Sequence, residues 1–94
     1  MNLEILKKHR AQILNIAKNC RVDNVRIFGS VVTGHNHETS DIDFLVHPLP
    51  GAGFSVGGLS WQLEELLGCK VDIVLDTSIH PAIKDNILSH ATPL

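Results

Sequence analysis

The fold of this 94-residue chain is decided by one stretch, Ser40-Asp41-Ile42-Asp43-Phe44-Leu45-Val46, which follows the dipeptide Gly29-Ser30. Successive side chains of a β-strand alternate between its two faces, so Asp41 and Asp43 share one face, while Ile42, Phe44 and Val46 share the other. An acid inside an apolar strand is costly to bury without a partner. The stretch therefore predicts a strand with one face in the core and two carboxylates on the opposite face.

A third acid, Asp72, lies in the apolar run Lys70-Val71-Asp72-Ile73-Val74-Leu75, which predicts a strand able to lie beside the first. Two carboxylates about 4 Å apart repel each other by roughly 4 kcal/mol at an effective dielectric near 20, so three convergent acids need a cation. Carboxylates together with water and substrate phosphates suit Mg²⁺ or Mn²⁺. Asp41, Asp43 and Asp72 are therefore predicted to hold metal ions that bind the phosphates of a nucleotide.

The dipeptide Gly29-Ser30 supplies the complementary part of a phosphate site. Glycine lets the backbone approach a phosphate closely, and a helix that starts at Ser30 would aim its free N–H groups at the anion. Both residues are predicted to bind the nucleotide. Plainer interpretations stay open: Gly29 could serve backbone conformation alone, and Asp72 could be an acid that faces outward.

Periodicity and turn signals predict an alternation of helices and strands in an α/β two-layer domain. The predicted helices are one that Asn2 caps and that reaches about Asn19, one over Phe54–Leu67 that Gly57-Gly58 interrupts, and one over Pro81–Ser89. The predicted strands are Val22–Phe28, Asp41–Val46 and Lys70–Leu75, with a helical turn over Ser30–Thr33 and a loop over Gly34–Thr39 between the first two. Trp61 and Leu63 are predicted to pack in the core.

These pieces together resemble a known family, the minimal nucleotidyltransferases of the DNA polymerase beta superfamily. The family pattern is a hydrophobic residue before Gly-Ser, a spacer, two aspartates separated by a hydrophobic residue, and a later strand aspartate. This chain reads Ile27-Phe28-Gly29-Ser30, Asp41-Ile42-Asp43-Phe44 and Val71-Asp72-Ile73. The resemblance covers nearly the whole chain and implies a single domain over residues 1–94 with a polymerase-beta-like fold, a small mixed sheet with flanking helices.

The resemblance implies a nucleotidyltransferase that moves AMP from ATP to a hydroxyl group and releases pyrophosphate. Asp41 and Asp43 would hold two Mg²⁺ ions, with Mn²⁺ as the alternative metal. Asp72 would help the second ion to activate the acceptor hydroxyl and could take its proton. Gly29 and Ser30 would position the β- and γ-phosphates.

The resemblance also implies a partner. Stand-alone members of the family are commonly encoded beside a helical HEPN-domain ribonuclease toxin, which they neutralise as antitoxins, in some cases by adenylylating a tyrosine. A hetero-oligomer with a HEPN toxin is therefore expected, with a tyrosine of that toxin as the favoured acceptor.

One departure from the family pattern keeps other functions open. Many relatives carry an arginine shortly after Gly-Ser, where this chain has Val31-Val32-Thr33. The missing charge could come from Arg26, Lys70 or a partner chain. Alternatively, the protein is a catalytically weak or inactive antitoxin that inhibits its partner ribonuclease by occlusion. Transfer to a small molecule is a third option, which the lack of a second domain disfavours.

Composition limits the remaining classes. Apolar residues make up 44% of the chain, enough for one compact domain. A net charge of −2 and scattered basic residues argue against direct nucleic-acid binding. No apolar run approaches the roughly 18 residues of a membrane span, the N-terminus lacks a signal-peptide pattern, and Cys20 and Cys69 fit small core residues. A cytoplasmic protein without membrane contact is expected, and His35 and His37 are interpreted as solvated loop residues rather than zinc ligands.

Overall fold

The computed structural model describes residues 3–29, 42–52 and 56–94 of the chain. Its helices are α1 (Leu3–Lys8), α2 (Arg10–Asn19), α3 (Val56–Leu67) and α4 (Pro81–His90). Its strands are β1 (Val22–Phe28), β2 (Ile42–Pro48), β3 (Val71–Leu75) and β4 (Thr92–Pro93). The predicted turn and loop between the first two strands, the cap at Asn2, the helix start at Phe54 and the site residues Ser30 and Asp41 lie outside the described residues.

The four strands form one mixed sheet in the order β3-β2-β1-β4. Strand β1 pairs antiparallel with both β2 and β4, whereas β2 pairs parallel with β3. The expectation of a small mixed sheet with flanking helices is therefore confirmed. The sequence pattern does not predict β4, because its two residues are too few to show a period.

One face of the sheet carries the core. Side chains from β1, β2 and β3 meet helices α1, α2 and α3 there, and the buried set is Leu6, Ile13, Ala17, Cys20, Val22, Val25, Ile27, Ile42, Phe44, Val46, Ala52, Leu59, Leu63 and Val71. The alternation predicted for β2 is confirmed, since Ile42, Phe44 and Val46 all belong to this set. Burial of each large apolar side chain contributes about 1.5–3 kcal/mol, so this face supplies most of the driving force for folding.

The first predicted helix is in fact two helices, separated by a turn at His9. The His9 backbone N–H donates to the Leu6 carbonyl at 3.1 Å, so this hydrogen bond spans three residues rather than the four of an α-helix. The Nδ1 of the His9 side chain donates to the Ile5 carbonyl at 3.1 Å. This side-chain bond to the backbone competes with the helical pattern. The break lets α1 bury Leu6 while α2 buries Ile13 and Ala17.

The prediction that Gly57-Gly58 interrupts the third helix is wrong, because α3 runs without a break from Val56. Both glycines lie in its first turn, where backbone N–H groups have no intrahelical partner and glycine weakens the helix little. Burial of Leu59 and Leu63 in the core stabilises the helix beyond what propensity suggests. The prediction for Trp61 is also wrong, since its side chain is 63% exposed.

Helix α4 connects β3 to β4, which lie at opposite edges of the sheet. Pro81 opens the helix, and the Ala82 N–H donates to the Nδ1 of His80 at 3.0 Å, which caps the helix. No residue of α4 is buried, and none belongs to the core set. The helix therefore stays apart from the main core.

Among the described residues no helix is both long enough and apolar enough to span a membrane.

An ion-pair cluster ties the end of β3 to the two central strands. Asp76, directly after β3, accepts a hydrogen bond from Arg26 Nη2 at 2.9 Å and one from His47 Nδ1 at 2.9 Å. Only 13% of the Arg26 side chain and 17% of the Asp76 side chain are exposed. Burial by itself would raise the pKa of Asp76, but the hydrogen bonds from His47 and Arg26 and their positive charges lower that pKa below its ordinary value of 3.8.

We predict that Asp76→Asn lowers the free energy of unfolding by about 1–2 kcal/mol at pH 7. A carboxyl whose pKa is lower in the folded state contributes its full stabilisation above its unfolded pKa and loses it as the pH falls through the folded value. The difference between wild type and Asp76→Asn should therefore shrink as the pH falls below about 4. Urea unfolding from pH 7 to pH 3 measures this difference.

The matched control for this experiment is Asp85→Asn, because Asp85 is an exposed aspartate on α4. Its effect should stay within about 0.5 kcal/mol at every pH. Equal effects of the two substitutions across the pH range would show that the cluster around Asp76 does not stabilise the fold.

Candidate active site

The face of the sheet opposite the core carries a row of three side chains on neighbouring strands. The pairing register aligns Phe28 of β1 with Asp43 of β2, and Asp43 with Asp72 of β3. Residues directly opposite each other on neighbouring strands point to the same side of the sheet. Because Ile27 and Phe44 are buried on the core face, this row lies on the other face.

Asp43 and Asp72 therefore form a pair of acids with parallel side chains. Adjacent strands lie about 4.8 Å apart, so both carboxylates can reach one common cation. Asp43 is half-buried and Asp72 is exposed, so the site opens from the sheet toward solvent. A divalent cation between the two acids would balance their like charges, and oxygen ligands of this kind suit Mg²⁺.

The predicted third acid cannot be placed beside this pair. Asp41 immediately precedes the first residue of β2 and lies outside the described residues. Among residues 3–29, 42–52 and 56–94, no three metal-ligating side chains gather in one group. Of the three predicted metal ligands, the structure thus brings two together.

Gly29 follows β1 and lies against the Asp43 side chain. Its φ angle of +80° is in the left-handed region, which glycine adopts without strain. A Cβ atom added at Gly29 would overlap with Oδ2 of Asp43 and would lie 3.2 Å from its Cγ. A glycine is therefore needed here on two counts, the backbone conformation and the close approach of the Asp43 carboxylate.

The two cations that could replace the missing arginine differ in their surroundings. Arg26 lies two residues before Phe28 on the same face, but its guanidinium bonds to Asp76, on the side away from the acids. Lys70 is exposed and directly precedes β3. The Ile42 N–H donates to the Lys70 carbonyl at 3.0 Å, so Lys70 lies at the same end of the sheet as Asp43. Lys70 is thus the better placed of the two.

A cavity of about 240 Å³ adjoins the row of Phe28, Asp43 and Asp72 at its Phe28 end. Its described lining consists of Phe28 and Gly29 from the end of β1 and Asn86, Ile87 and His90 from α4. The sequence pattern does not mark the three α4 residues, because their spacing along the helix matches no binding motif. Only the crossing of α4 from one sheet edge to the other brings them beside Gly29, and that crossing is a property of the tertiary fold.

The family model and the relatives that match this chain are all described as nucleotidyltransferases or protein adenylyltransferases. The family model described as "Nucleotidyltransferase domain" matches residues 6–94. A Methanocaldococcus jannaschii protein, provisionally named a protein adenylyltransferase, is 39% identical over 97% of this chain and 96% of its own length. The protein adenylyltransferase MntA of Thermococcus cleftensis is 36% identical over 71% of this chain and 69% of its own length.

Solved structures agree with these relatives. A protein provisionally described as a minimal nucleotidyltransferase superimposes with a TM-score of 0.88 at 37% identity, over 100% of this chain and 97% of that one. A crystal structure of a toxin–antitoxin with AMP-PNP gives a TM-score of 0.74 at 21% identity, over 88% of this chain and 69% of that one, and this likeness bears on the fold alone. The predicted fold is therefore confirmed.

We predict that Gly29→Ala destabilises the protein and displaces the Asp43 carboxylate. Gly68→Ala is the matched control, because Gly68 also has a positive φ of +70° but has open space where a Cβ would stand. Both variants carry a backbone penalty of about 1–2 kcal/mol, and only Gly29→Ala adds the overlap with Asp43. Urea unfolding should show a larger loss for Gly29→Ala, and equal losses would contradict the close packing of Gly29 on Asp43.

Proposed function

Because this chain belongs to the nucleotidyltransferase domain family, we propose that it transfers AMP from ATP to a hydroxyl group of a partner toxin and thereby acts as an antitoxin. The observation that carries this proposal is the alignment of Asp43 with Asp72 on one face of the sheet, beside the close turn at Gly29. The names of its relatives, which include protein adenylyltransferases, support the same chemistry.

The donor set fits divalent metal ions. Asp41, Asp43 and Asp72 would hold two Mg²⁺ ions, because the aligned pair offers carboxylate oxygens to one centre and Asp41 directly precedes the strand that carries Asp43. Such ions, when bound, neutralise the triphosphate and lower the pKa of the attacking hydroxyl. Gly29 and Ser30 would bind the β- and γ-phosphates through backbone N–H groups and the serine hydroxyl, with Lys70 supplying charge at the same end of the sheet.

The transfer of AMP needs no reactant other than ATP and the acceptor hydroxyl. The acceptor oxygen forms a bond to the α-phosphorus of ATP, and the bond between the α-phosphorus and the oxygen that bridges to the β-phosphate breaks. Pyrophosphate leaves with that oxygen and its electron pair. The hydroxyl proton passes to Asp72, which is exposed and so lies where an acceptor arriving from solvent can reach it.

The proposed acceptor lies on another protein, a HEPN-domain toxin with a tyrosine as the target residue. This chain contains no tyrosine, so a tyrosine acceptor has to come from a partner. Strand β3 supports such an approach, because it is an edge strand and places Asp72 at the rim of the sheet. The resemblance to stand-alone minimal nucleotidyltransferases is the ground for the choice of a HEPN partner.

Inhibition by occlusion is the second candidate, and one observation favours it. The guanidinium of Arg26 is engaged with Asp76 rather than directed to the acids, so this chain lacks one cation that could have replaced the family arginine. A weak triphosphate site would leave a protein that binds its toxin and blocks it without transfer.

We predict that Asp43→Asn abolishes transfer of AMP and leaves the fold intact. The test incubates the protein with Mg²⁺, α-labelled ATP and the protein encoded next to it, as the candidate toxin, and records the intact mass of both proteins. The wild type should add AMP to the toxin, whereas Asp43→Asn should not, because it removes a predicted metal ligand. The control is Asp23→Asn, an exposed strand aspartate at the far end of the sheet, which should retain full transfer.

Full turnover by Asp43→Asn would overturn the assignment of the site. The double variant Asp41→Asn/Asp43→Asn separates the two candidate functions. If it still protects cells that express the toxin, occlusion is the mechanism. If protection is lost while the complex with the toxin still forms, transfer is the mechanism.

We predict that Mg²⁺ raises the melting temperature of the wild type but not that of Asp43→Asn. A ligand that binds only the folded state stabilises it by about 2.7 kcal/mol at one hundred times its Kd. Thermal unfolding with and without Mg²⁺ tests this, and equal shifts in both proteins would exclude Asp43 as a metal ligand.

A further inference from the structure

We infer that the cavity between the end of β1 and α4 binds the nucleoside part of the nucleotide, and that Asn86 and His90 select adenine there. This inference rests on the proposed function, because it assumes that the acids hold a nucleoside triphosphate. Its starting observation is the lining of the cavity by Phe28, Gly29, Asn86, Ile87 and His90.

The position of the cavity suits a nucleoside that is attached to phosphates at the acids. Phe28 lines the cavity and is also the direct neighbour of Asp43 in the row across the sheet. Gly29 lines the cavity while its backbone lies against the Asp43 carboxylate. A ligand whose phosphates lie at Asp43 therefore has this cavity within reach of its other end.

The walls of the cavity suit a flat aromatic base. The ring of Phe28 is half-buried, and Ile87, also half-buried, supplies a second apolar surface. Bases stack on aromatic side chains through their π-faces regardless of sequence, so these walls bind a base but do not identify it. Identification has to come from the polar groups, which are Asn86 and His90.

The contacts of His90 on α4 select one tautomer of its neutral imidazole ring. Its Nδ1 lies 2.8 Å from the backbone oxygen of Asn86, and a carbonyl oxygen can only accept a hydrogen bond. The neutral imidazole thus carries its hydrogen on Nδ1, which leaves Nε2 as an acceptor. The side-chain amide of Asn86 offers both a donor and an acceptor.

These two groups match adenine better than guanine. An amide pairs with adenine through the N6 amino group and N7, and an acceptor nitrogen such as Nε2 of His90 suits the same amino group. Guanine presents only acceptors, O6 and N7, at that edge. The O6 of guanine would face the Nε2 acceptor of His90 without a hydrogen between them, so the cavity disfavours GTP.

The test compares three ligands, ATP, GTP and inorganic tripolyphosphate, each with Mg²⁺, in isothermal titration with the wild-type protein and with Asn86→Ala and His90→Ala. Each substitution should raise the Kd for ATP about tenfold, because it removes contacts to the base. Neither should change the Kd for tripolyphosphate, which has no base. The ratio of the GTP and ATP dissociation constants should also fall toward one in both variants.

The matched control is Lys84→Ala, because Lys84 is an exposed α4 residue outside the lining of the cavity. It should leave the Kd for ATP unchanged. Unchanged ATP affinity in both Asn86→Ala and His90→Ala would overturn the inference and leave the proposed transfer standing. A rise in the KM for the toxin with unchanged ATP affinity would assign the cavity to the acceptor instead, which also overturns it. Failure of the wild type to bind either ligand would overturn the inference and the proposed function together.

Discussion

The parallel pairing of β2 with β3 is the constraint on which the candidate site depends. It aligns Asp43 with Asp72 on one face of the sheet, and it does so because Ile42 pairs with Val71 and Phe44 with Ile73 on the core face. A slip of one residue would turn the apolar side chains of β2 to solvent and the acids into the core. The hydrophobic core thus fixes the register, and the register places Asp43 and Asp72 side by side.

The two faces of the sheet differ in what they carry: one packs the core, and the other presents the candidate site. Helices α1, α2 and α3 cover one face and provide the burial that stabilises the fold. The other face keeps its acids half-buried or exposed at one end, while the ion pair of Arg26 with Asp76 closes the other end. Helix α4 has no residue in the core of the described residues, and three of its residues line the cavity beside Gly29.

Much of this arrangement is predictable from the sequence. The features that are not predictable depend on contacts that no sequence pattern records. The alternation in β2 and the strand nature of residues around Asp72 follow from a period of two, and the mixed sheet follows from the family pattern. The break at His9 depends on one side-chain bond to the Ile5 carbonyl, which periodicity does not register. The exposure of Trp61 and the cavity residues Asn86 and His90 depend on how helices lie against the sheet, which no local pattern encodes.

Anomalous diffraction from crystals grown with Mn²⁺ and a non-hydrolysable ATP analogue tests most directly the proposal that Asp43 and Asp72 hold one metal centre. Mn²⁺ stands in for Mg²⁺ and can be located by its own scattering. We expect anomalous density between the two carboxylates, with oxygen ligands from both acids at about 2.1 Å. Density elsewhere, or a bound nucleotide whose phosphates lie away from both acids, would contradict the claim.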